Sequence, residues 1–117
     1  MSRIKANEVG TVDPKSVAVG WIKFDKDAVV DDFFGICTSV TFLGASLWRV
    51  NFSQPMANTD YGIWLTNDDL ASGASAGSYV RAAGKTVNYF EFRCTHHPSN
   101  TAINHNHYSA MVFGEVA

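Results

Sequence analysis

The sequence predicts an all-β fold, an antiparallel β-sandwich of jelly-roll-like type, and three observations carry that expectation. From Val17 onward, apolar and aromatic residues recur with a period of two. Short clusters of glycine, proline, asparagine and serine interrupt those runs, as turns between short strands do. Of the 117 residues, 46% are hydrophobic and 17% charged, without charge blocks, which fits one domain with a modest core and excludes a disordered chain.

The elements follow in order. Residues 1–16 are polar, carry Gly10 and Pro14 and show no period, so they read as an extended N-terminal leader or arm. Fully extended, such a leader reaches about 50 Å, far enough to touch a neighbouring subunit. Residues 17–117 form the sandwich domain. In its first strand Val17, Val19 and Trp21 share one face and Ile22 and Phe24 the other, a pattern that fits cover on both sides. The run Lys26 to Phe34 holds either a helical turn or a strand start. Ile36, Val40 and Phe42 alternate with Cys37, Ser39 and Thr41. In "LWRVNFS", Trp48, Val50 and Phe52 oppose Arg49, Asn51 and Ser53, the signature of a half-buried antiparallel strand. Tyr61 to Thr66, Tyr79 to Arg81, Val87 to Thr95 and Ile103 to Val116 complete about eight strands. Turns are expected at Leu43 to Ser46, Ser53 to Asp60, Ala71 to Gly77 and Ala82 to Lys85.

A formal net charge of −2 gives no electrostatic footprint for nucleic acid. No apolar run approaches the ~18 residues of a membrane span, and the start lacks a signal peptide's apolar core, so synthesis in a cytoplasm without membrane insertion is expected. Cys37 and Cys94 stand alone within strand-like runs and read as small buried hydrophobes, with a disulfide between them as the alternative.

Three segments carry a resemblance. "AVGWIKFDKD" (Ala18 to Asp27), "VTFLGASLWRVNFSQPMANTDYGIWLT" (Val40 to Thr66) and the closing "YSAMVFGEVA" are similar, in strand pattern and turn placement, to a small β-sandwich module of bacteriophage tail-fibre and virion-appendage proteins. The likeness spans Val17 to Ala117. It implies a non-enzymatic virion structural protein, a homotrimeric tail-fibre tip or appendage that engages a host-surface glycan or protein. Such a protein would be made in the host bacterial cytoplasm and joined to other virion proteins through the leader. Family modules follow a long fibre shaft, whereas here Met1 is sixteen residues from the domain. A capsid decoration or head-fibre protein, and a small glycan-acting enzyme, are the competing readings.

The candidate site residues divide by chemistry. Cys94 with His96 and His97 is a possible nucleophile and base, but no nucleophile-elbow or papain-like pattern surrounds them, and no catalytic residue is assigned. Asp31-Asp32 and Asp68-Asp69 read as turn and capping residues. Among the aromatics, Trp48 falls on a core face and Trp64, between Ile63 and Leu65, has no clearly wet face. Tyr79 and Tyr89 are therefore the candidates for ligand or surface contact, weighed against core or interface packing. His105 and His107 share a strand face with Met111 and Phe113. Two imidazoles per chain are too few for a structural metal. Three copies on a trimer axis suffice for a transition metal, and the simpler reading is two half-exposed histidines at a strand edge with no cofactor.

Overall fold

The computed structural model describes residues 13, 16–67, 76–96, 101, 102 and 107–117, with backbone alone at 76, 77, 96, 101 and 102. Apart from Asp13 and Ser16, the leader lies outside the described residues, as do Asp68, Asp69, most of the 71–77 turn, His97 and His105.

Among the described residues, nine strands form two antiparallel sheets that pack as a sandwich: β1 (Ala18–Asp25), β2 (Val30–Gly35), β3 (Cys37–Gly44), β4 (Leu47–Phe52), β5 (Gly62–Asn67), β6 (Ala76–Val80), β7 (Tyr89–His96), β8 (Thr101–Ala102) and β9 (His107–Phe113). The first sheet has the order β2-β1-β9-β5, and the second β3-β4-β7-β6, with the two-residue β8 on β7. The chain crosses between sheets after β2, β4, β5 and β8, which gives the jelly-roll-like path.

The core lies between the sheets because each strand alternates. Ile22, Phe24, Tyr108, Ala110 and Val112 of the first sheet face Trp48, Val50, Phe90, Phe92 and Cys94 of the second, all essentially inaccessible to solvent. At the centre, the Trp48 ring lies 4.4 Å from Tyr108 and 5.7 Å from Phe92, centroid to centroid. Burial of each such side chain contributes roughly 1.5–3 kcal/mol. The far edges of the two sheets meet where the Ser78 hydroxyl donates to Asn67 Oδ1 at 2.8 Å. Cys37 and Cys94 are buried, free thiols.

Two local features shape the near edge. Gly35 takes a left-handed φ of +69° to turn the chain from β2 into β3, and a Cβ there would sit 2.0 Å from the Val19 carbonyl oxygen. Between β3 and β4 a two-residue loop, Ala45-Ser46, has φ of 50° and 58°, the left-handed pair that tight hairpins use.

One open strand-level choice resolves and two expectations change. Lys26 to Phe34 holds no helix: residues 26–29 form a turn braced by Asp25, whose Oδ1 accepts the Asp27 and Val29 amides at 2.9 Å each, and β2 begins at Val30. Asp31 and Asp32 lie within β2 at an irregularity in register, where Asp32 pairs with Lys23, so they are strand residues and not turn caps. Cys37 does not alternate with Ile36: a register shift between Cys37 and Ser39 lets both enter the core.

Candidate binding face

The outer faces of the two sheets differ in chemistry. On the second sheet, Arg49 donates from Nε (2.9 Å) and Nη2 (2.6 Å) to Glu91 Oε2, and Arg81 Nη1 donates to Oε1 at 2.9 Å. The Arg49 guanidinium also covers the Tyr89 ring at 4.1 Å. Arg49, Arg81, Glu91 and Tyr89 are thereby engaged with one another.

The outer face of the first sheet carries two ordered rows. Register places Phe34 of β2 beside Trp21 of β1, Trp21 beside Met111 of β9, and Met111 beside Trp64 of β5. This apolar row crosses all four strands, about 14 Å at the usual strand spacing. The next row, two residues along each strand, is Asp32, Lys23, Ser109 and Thr66. Trp64 is 60% exposed and Phe34 47%, while Trp21 and Met111 are partly covered, Trp21 by a stacked contact with Phe34 at 6.4 Å. Trp21 and Trp64 flank Met111 from opposite sides. Between them lies a hollow of about 170 Å³ lined by Trp21, Trp64, Thr66, Ser109, Ala110 and Met111.

The expectation that β1 is covered on both faces is therefore corrected. Ile22 and Phe24 enter the core, but within the described chain Trp21 faces outward over this hollow. A period-two run with apolar residues on both sides marks either a sandwiched strand or one whose outer face is an apolar surface.

The sequence candidates fall elsewhere. Tyr79 is 46% exposed on β6 beside Arg93, and Tyr89 is half-buried on β7 beside Asn51. Both lie on the second sheet's outer face, but their β7 register positions, 93 and 89, stand four residues apart, so the two rings are not brought together. His107 lies on the first sheet, on the same face as Met111, with Nε2 3.6 Å from Asp31 Oδ2. Its companion His105 is outside the described residues. Among the described residues, no group of three or more His, Cys, Asp or Glu side chains is placed to hold a metal ion. The signal that could have marked Trp64 as exposed is its phase partners Gly62 and Thr66, not its neighbours Ile63 and Leu65.

Both thiols are buried in the core and not on this face. Burial pushes the Cys37 thiol up to about 12, and burial also raises that of Cys94, partly offset by a hydrogen bond with Ser78. Neither supplies a thiolate at neutral pH.

No protein-family model, no curated protein and no solved structure matches this chain.

Proposed function

We propose that this chain is a non-enzymatic virion protein of a bacteriophage, a trimeric appendage module of the tail-fibre-tip kind that acts by surface contact through the outer face of its first sheet. The observation that carries the reading is the exposed row Phe34, Trp21, Met111 and Trp64, presented on a rigid sheet beside a polar row. Exposed aromatics aligned in this way cost solubility and are a characteristic of contact surfaces. The resemblance of Val17 to Ala117 to virion-appendage modules supplies the setting.

Immunogold labelling of particles of the phage that encodes the chain tests the setting. Label at the tail appendages is expected; label confined to the capsid, or none on purified particles, would overturn it. Sedimentation tests the assembly, with a mass of three chains expected and a monomer at working concentration contrary to it.

A further inference from the structure

We infer that the hollow between Trp21 and Trp64 is a carbohydrate-binding site that takes the pyranose rings of a neutral glycan. This deepens the contact-surface reading above and rests on it for the face involved, though not for the virion setting.

A pyranose presents apolar C–H faces and a rim of hydroxyls, and aromatic rings with adjacent hydrogen-bonding groups match both. Here the two indoles stand on strands either side of β9, about 10 Å apart at their backbones, with the Met111 side chain at the floor between them. That spacing leaves room for a ring to rest over Met111 against indole on either side. The hydroxyls of Ser109 and Thr66 line the same hollow and can donate to or accept from sugar hydroxyls. Lys23 and Asp32 extend the polar row with one charge of each sign, so the rim has no net charge to favour an anionic sugar.

A second copy of the chain or another protein is a poorer fit. The centres of protein interfaces are depleted of charged residues, whereas this hollow is concave and has the charged Lys23 and Asp32 in the row directly beside its apolar one. Phe34 stacks on Trp21 and continues the apolar row toward the β2 edge, lengthening the platform for an oligosaccharide.

The test uses the full chain and three neutral trisaccharides as probes: cellotriose, chitotriose and maltotriose. Saturation-transfer NMR and intrinsic tryptophan fluorescence report binding, and sedimentation reports assembly. At least one probe is expected to receive saturation on its ring C–H protons and to perturb the indole emission. Trp64→Ala and Trp21→Ala are each expected to weaken that binding about tenfold or more, with unchanged circular dichroism and sedimentation. Thr66→Val, which removes a rim hydroxyl and leaves both indoles, gives a smaller loss and guards against misfolding of the tryptophan variants. No transfer to any of the three probes up to their solubility overturns the inference. So does binding that survives Trp64→Ala but is lost in Tyr79→Ala. Dissociation of an assembly by Trp21→Ala or Trp64→Ala without any glycan effect identifies the face as a subunit interface and overturns it too. Capsid-only immunogold label together with glycan binding leaves this site standing while the appendage reading fails.

Discussion

Glu91→Gln is expected to destabilise the fold by about 2–3 kcal/mol. The carboxylate is 7% exposed and accepts three guanidinium hydrogen bonds, two from Arg49 on one oxygen and one from Arg81 on the other. Glutamine keeps the shape but removes the charge and turns one acceptor into a donor that meets a guanidinium donor. Breaking a fully buried ion pair from one side costs roughly 3–5 kcal/mol. The two arginine side chains are 33% and 40% exposed, so water can solvate them once released, which lowers the figure. At this chain length the loss corresponds to a melting temperature lower by roughly 8–12 °C. Urea unfolding at constant m-value measures it, and Arg81→Met, which removes one bond, should cost only about 1 kcal/mol. A Glu91→Gln variant within about 0.5 kcal/mol of the unmodified protein would refute the claim that this network fastens the second sheet's outer face.

Three further outcomes are expected. Gly35→Ala should cost about 3 kcal/mol or more, read by the same unfolding assay, because it combines a left-handed backbone with a clash against the Val19 carbonyl; a loss under about 1 kcal/mol would contradict the tight β2–β3 turn. Cys37 and Cys94 should resist a thiol reagent in the folded protein and both react in urea, since burial keeps them protonated and covered; rapid labelling of either in native conditions would count against their place in the core. The Asp25 carboxyl should titrate below the usual aspartate value, chiefly because the Val29 amide donates to it. With the folded pKa depressed, its contribution is present above the unfolded value and fades as pH falls through the folded one. A carboxyl-carbon NMR titration with an ordinary or raised midpoint would remove that bracing role.

The sandwich was readable because its strongest signal is local. "LWRVNF" names its own core and solvent faces, and Trp48, Val50, Arg49 and Asn51 occupy them as phase dictates. Irregular points were less legible. The shift at Cys37 and the strand placement of Asp31 and Asp32 arise from pairing with β4 and β1, long-range partners that no local pattern encodes. The candidate site was the hardest part. Phe34, Trp21, Met111 and Trp64 come from four separate strands, and only the order β2-β1-β9-β5 makes them a row. Neither tryptophan differs in its immediate sequence from a core residue. Tyr79 and Tyr89 looked wetter because of polar neighbours, yet Tyr89 is held under Arg49 and Tyr79 stands apart from it.

The central claim is that the outer face of the first sheet is the working surface, and binding of purified, fluorescently labelled protein to host cells tests it most directly. The unmodified protein should bind saturably. A Trp21→Ala/Trp64→Ala double variant with the same circular dichroism and the same sedimenting mass should bind at least about tenfold more weakly. Equal binding by the double variant, or no saturable binding by the unmodified protein, would contradict the account.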